Sequence, residues 1–134
     1  MNAAIFHTHA VLVIGRSLIA ALFFVSALSK LTAWEGTIAY MASKGMPMPG
    51  VFLALTILLE VGGAILLVVG WRTRWVAAAL VAFTLAATLI FHAFWAVDPG
   101  QFSNQLTHFL KNLAIVGGLL AVAHASQEPQ APQP

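Results

Sequence analysis

The sequence predicts an all-α membrane protein: a four-transmembrane-helix antiparallel bundle with a short interfacial helix between spans one and two. Three observations point there. Hydrophobic residues fill 60% of the 134 positions and charged residues only 7%, where soluble domains carry about a quarter charged residues. The mean hydropathy is +0.91. Four runs, roughly Ala10–Leu31, Val51–Val69, Trp75–Trp95 and Phe109–Ala125, are long and apolar enough to cross a hydrocarbon core. They use up most of the chain. Residues 1–125 therefore read as one transmembrane domain, and 126–134, built from Gln, Pro and Glu, as a disordered tail.

Span one has small residues at Val25-Ser26-Ala27, the spacing of a signal-peptide cleavage site. Met1 to Ala10 holds no basic residue, however, and Arg16 interrupts the apolar stretch, so an uncleaved first helix is expected. Within it Arg16, Ala20, Phe23, Ala27 and Lys30 recur at helical spacing and share a face.

Thr32-Ala33-Trp34-Glu35 matches a capping box and predicts a short helix ending near Lys44, with Gly45 as a left-handed stop. Trp34, Ile38 and Met41 fall on one side of that helix, which suits a position flat in the interface. Pro49 suits the entry of span two. Trp71-Arg72-Thr73-Arg74-Trp75 is a basic turn flanked by belt tryptophans, and it joins spans two and three. Asp98-Pro99-Gly100 marks the next helix start, with Asp98 as cap. Gln101, Gln105, His108 and Asn112 then line one side of the approach to span four. Short connections favour up-and-down topology. The Arg72/Arg74 turn favours both termini in the cytoplasm, against the pull of Lys30, Lys44 and Lys111 on the opposite side.

Composition also excludes some functions. The net charge of +2 is not gathered into a basic cluster, so no nucleic-acid footprint exists. Cysteine is absent, which removes disulfides, thiolate metal ligation and thiol redox chemistry in this chain. No metal site is expected.

The informative residue is Glu60, the one charged group in the run from Val51 to Val69. About a dozen large apolar residues in that span contribute roughly −4 to −8 kcal/mol to insertion, against about +3 for one central charge. The helix inserts even with the carboxylate unpaired. An intramembrane charge of this kind is a functional candidate. Counting ~1.5 Å per residue from the Arg72 side puts Arg16 roughly 10 Å deep, Glu60 roughly 15 Å, and His92 and Lys111 roughly 25 Å. On that count Arg16 is the best match in height to Glu60, with Lys111 able to reach down from above. Lys30 and Lys111 stand near span ends, where lysines snorkel to headgroups.

The candidate intramembrane polar site is Arg16, Lys30, Glu60, His92, Lys111 and Asn112, with Ser26, Thr88, Phe94 and Trp95 as pocket lining. Thr84, Thr88 and His92 form a polar stripe on span three, while Lys111, Ala114 and Gly118 share a face of span four. Gly62-Gly63 permits close approach of a neighbouring helix. His92 with His108, and His9 with His124, pair by side of the membrane and raise haem ligation as an idea. Three of these four lie at or beyond the membrane edges, which argues against haem.

The ordered set Gly15-Arg16, Ser26…Lys30, Gly45-Met46-Pro47, Glu60…Gly63, Gly70, Phe91-His92-Ala93-Phe94-Trp95 and His108-Phe109-Leu110-Lys111-Asn112…Gly117-Gly118 resembles the DoxX family. The resemblance covers about Val13 to Leu120. It implies a small four-span protein of a bacterial inner membrane. Some members of the family are associated with thiosulfate–quinone oxidoreductase, or with membrane complexes handling thiol and oxidative stress. A redox-associated, quinone-interacting membrane subunit without independent catalysis is the expected function. Beyond the lipid bilayer, the candidate partners are a protein of a membrane redox complex and a second copy of the chain. The alternatives are a small-solute or proton-coupled transporter using Glu60, and a scaffold that docks a soluble enzyme.

Overall fold

The computed structural model describes residues 3–127, with side chains from His9 onward. Five helices follow one another: α1 (Ala3–Thr32), α2 (Trp34–Ser43), α3 (Pro49–Val69), α4 (Thr73–Phe91) and α5 (Pro99–Ala125), with a 3₁₀ turn at Phe94–Ala96 before α5. Four of them, all but α2, are long and apolar enough to cross a bilayer. The described residues contain no strand. The expected all-α membrane bundle is what forms. Most of the tail expected to be disordered, residues 128–134, lies outside the described residues.

The spans present their bulk outward. Leu18, Val25, Leu58 and Leu89 are all more than half exposed, a liability in water and a match for hydrocarbon. Their inward faces alternate small residues with a few large ones such as Phe23, Leu67 and Leu80. Ala20, Phe23 and Ala27 of α1 are buried, as their spacing predicts. Gly63 of α3 lets Leu80 of α4 approach so closely that an added Cβ would stand 3.0 Å from a Leu80 methyl. Ala20, Phe23, Ala64, Leu67, Ala77, Leu80, Leu119 and Val122 form a dry core toward the Arg72 end. Small residues at such contacts let dispersion forces replace the hydrophobic effect that lipid does not supply.

The helices pack as two pairs, α1 on α3 and α4 on α5, with looser contact between the pairs. In the first pair, Arg16 meets Gly70 and Ser26 meets Glu60. Those two contacts define one antiparallel register, ten residues apart on each helix. In the second pair, Asn112 Nδ2 donates to Thr88 Oγ1 at 2.9 Å, and His92 Nδ1 meets Gln105 Oε1 at 2.9 Å. The polar stripes of spans three and four are thus turned toward each other.

Several local expectations are corrected. α1 runs on through Thr32, so no capping box forms. The Thr32 hydroxyl bonds back to the carbonyls of Leu28 and Ser29, and α2 starts after Ala33 with no side-chain cap. The chain bends there for a single residue, because Ala33 N–H still donates to Ser29 and Thr37 N–H to Ala33. The end of α2 follows the prediction: Gly45 has φ +78°, and Gly45 and Met46 N–H close on Ala42 and Met41, a Schellman motif. Span three reaches Ala96, as expected to within a residue of Trp95, but its α-helical part ends at Phe91, where His92 adopts φ −125°. The buried residues of α5 are Val116, Leu119 and Val122; of the expected Lys111–Ala114–Gly118 face, Lys111 and Ala114 are exposed and Gly118 packs close to Ile19 of α1. Asp98 caps α5 by position, without a side-chain hydrogen bond.

Candidate functional site

Glu60 is buried, yet it is not alone. Lys30 Nζ lies 2.9 Å from Glu60 Oε1 and 3.1 Å from Oε2, and also donates to Ser26 Oγ. Ser26 in turn donates to Glu60 Oε1 at 3.1 Å. All three ammonium donors are therefore used inside the protein. The Glu60 side chain is 3% exposed and that of Lys30 is 27%.

The geometry follows from helix directions. Side chains on an α-helix lean toward its N-terminus. Lys30 stands one turn beyond Ser26, so its stem leans back to the level of Glu60. α5 runs the opposite way, so the lean of its side chains carries them toward the Pro99 end, and Lys111 is exposed rather than extended toward Glu60. Arg16 is not the partner either. It is level with Gly70, ten residues and ~15 Å from Glu60 along α3. The depth count erred because α1 starts well before Ala10, which shifts Arg16 to the end of the bundle.

The pair stands on the wall of a cavity of about 280 Å³ between the two helix pairs. Most of the wall is apolar, including Phe23, Leu53, Phe83 and Ile115. α2 covers one side with Thr37, Tyr40 and Met41, and the Tyr40 hydroxyl reaches the Phe91 carbonyl at 3.4 Å. Across from the ion pair, His92 and Asn112 reach the same space. Four of the ten expected residues therefore line one cavity with Glu60: Ser26, Lys30, His92 and Asn112. Thr88 is buried beside it and bonded to Asn112 and to the Thr84 carbonyl.

Phe94 and Trp95 are not on the cavity wall. They stand in the 3₁₀ turn, where Phe94 packs edge-on with Trp95, Phe102 and Phe109, and Trp95 is exposed. The break at His92 takes them off the α4 face. His92 and His108 stack ring on ring, their centroids 5.0 Å apart. Tyr40 and Thr37 were missed by sequence reasoning. Their signal was present, since Thr37 and Met41 are one turn apart on α2 and Tyr40 adjoins Met41. Among the described residues, no group of three or more His, Cys, Asp or Glu is placed to hold a metal ion.

Fold and site together define a small four-span integral membrane protein with a mostly apolar cavity, an ion pair on its wall, in one half of its bundle. The DoxX family model matches residues 11–93, and the chain belongs to the DoxX family. It is similar to the inner membrane protein YphA of Escherichia coli (strain K12), 33% identical over 112 residues, or 84% of this chain and 80% of that one. It is also similar to the inner membrane protein YqjF of the same organism, 38% identical over 110 residues, covering 82% and 79%. No solved structure matches the chain significantly.

Proposed function

We propose that this protein is a redox-associated subunit of the bacterial inner membrane that holds a quinone-like headgroup in its cavity. One observation carries the reading: an apolar cavity of about 280 Å³ with a lysine–glutamate pair on its wall. A quinone ring needs an apolar slot, hydrogen-bond donors for its carbonyls and a proton source. The volume is at the small end for ligand pockets, which span about 300–1,000 Å³, and suits a single substituted ring.

The donors are the Asn112 amide hydrogen not given to Thr88 and the Tyr40 hydroxyl, held only at 3.4 Å by the Phe91 carbonyl, while the His92 ring nitrogen not engaged by Gln105 is an acceptor in the neutral ring. Glu60 exchanges a proton with the bound ring, and Lys30 holds the carboxylate in place between exchanges. Electrons come from a partner redox protein, and the chain itself turns nothing over. Both termini face the cytoplasm in this reading, which puts the cavity in the outer half of the membrane. The names of the two Escherichia coli relatives support the inner-membrane location.

A transporter reading uses the same Glu60. The tightly packed core around Leu67, Ala77, Leu80 and Leu119 leaves that reading without a path through the other half of the bundle. The test is an extraction of quinone from protein gently purified out of its native membrane, with Glu60→Gln as the control. Stoichiometric quinone that drops in the variant is expected. Quinone no more abundant than in bulk lipid would sink the proposal and make a liposome flux assay the next step.

A further inference from the structure

The other end of the bundle holds a cation that the proposed function does not use. Arg16 lies against Gly70, where an added Cβ would come within 2.6 Å of its Nη1 and 2.9 Å of Cζ. Gly70 has φ +79° and closes α3. Arg16 Nε is buried with no hydrogen-bond acceptor, a costly state for a charged group. Among the described residues the single salt bridge is Lys30–Glu60. The other described carboxylates, Glu35 and Asp98, stand at the opposite end of the bundle. Arg72 and Arg74 add two exposed cations beside Gly70, each over a tryptophan ring.

A groove of about 340 Å³ adjoins this cationic end. Its walls are Ser17, Ala21 and Phe24 of α1 and Ile65, Val68 and Val69 of α3, so it starts beside Arg16 and Gly70 and runs toward mid-membrane. Its exposed surface is almost wholly apolar. An excess of cations at the headgroup level, continuous with an apolar furrow between two helices, matches a lipid carrying a negative headgroup. We propose that this end of the bundle binds an anionic phospholipid, its phosphate on the Arg16 guanidinium and an acyl chain in the α1/α3 groove. The site is separate from the cavity and stands whether or not a quinone binds there.

The experiment is thermal unfolding of the delipidated full-length protein in neutral detergent, titrated with phosphatidylglycerol or with phosphatidylcholine of the same acyl chains. Wild type is expected to respond to phosphatidylglycerol at a concentration at least about tenfold lower, the size of one charge-assisted hydrogen bond. Arg16→Gln loses that preference, while Glu128→Gln keeps it. Ala21→Phe, which fills an exposed part of the groove and leaves the core alone, weakens the response to both lipids. It also serves if Arg16→Gln does not fold. Equal response of wild type to the two lipids overturns the proposal. So does an unchanged preference in Arg16→Gln, an unweakened response in Ala21→Phe, or full stabilisation by inorganic phosphate alone.

Discussion

α1 carries a cation toward each end of its buried stripe, and the bundle treats the two differently. Lys30 is turned inward onto Glu60 and Ser26, beside a mostly apolar cavity. Arg16 lies over Gly70 beside a dry core, with no carboxylate partner among the described residues. The same helix, the same face and the same charge give two environments. What differs is the helix opposite: α3 offers a carboxylate at one level and bare backbone at the other. A charge inside a membrane protein is thus interpreted by its neighbour across the interface, not by its own span.

Four changes break or sharpen this contrast. Lys30→Met strands a carboxylate that is 3% exposed, and is expected to destabilise by about 3–5 kcal/mol. Lys30→Met/Glu60→Leu recovers most of the loss. Reversible unfolding in bicelles measures both, and a double variant no better than the single one would show that the pair is not coupled. Glu60→Gln is milder, on the order of 1–2 kcal/mol, because the Lys30 side chain is 27% exposed and can swing its ammonium toward headgroups. Arg16→Met in neutral lipid shifts stability by no more than about 1 kcal/mol in either direction, since it strands no partner and removes a buried Nε that has none. If it equals Lys30→Met, the two cations are equivalent and the contrast fails.

A further pair of changes addresses the dry half. Gly63→Ala drives a methyl into Leu80 and is expected to cost about 1–3 kcal/mol. Gly62→Ala meets nothing within 4 Å and stays within about 0.5 kcal/mol. Parallel unfolding curves distinguish the neighbours, and equal losses would mean the Leu80 contact does not govern packing. The smallest effect belongs to the polar seam of the second pair. Thr88→Val removes the Asn112 hydrogen bond and is expected to cost about 0.6 kcal/mol. A double-mutant cycle with Asn112→Leu reads the coupling, which should vanish for the non-contacting pair Thr88 and Lys111.

Much of this molecule is legible in the residues. The four spans, the Gly45 stop, the Trp71–Trp75 turn and the start of α5 at Pro99 follow from local patterns. So does the buried stripe of Ala20, Phe23 and Ala27 on α1. The site was legible in its members but not in its connections. Ser26, Lys30, Glu60, His92 and Asn112 could all be picked out as polar groups in greasy helices. Which of three cations meets Glu60 could not. Depth counted from assumed span ends accumulates an error of several residues, and one helical turn is enough to exchange partners. The break at His92 was missed for a related reason. In the run to Trp95 the polar residues Thr84, Thr88 and His92 keep helical spacing, so the pattern does not reveal where the helix stops and hands over to a 3₁₀ turn.

Sequence determined which segments enter the membrane, because transfer of each residue into hydrocarbon is close to additive along the chain. It also determined that one carboxylate would travel with them. Only the tertiary structure decided that Lys30 holds that carboxylate, that Arg16 does not, and that α2 lies against a cavity between two helix pairs. Those outcomes depend on the register of α1 against α3. Register is set by how small residues of one helix seat against side chains of another, a property of pairs of surfaces that no single segment contains.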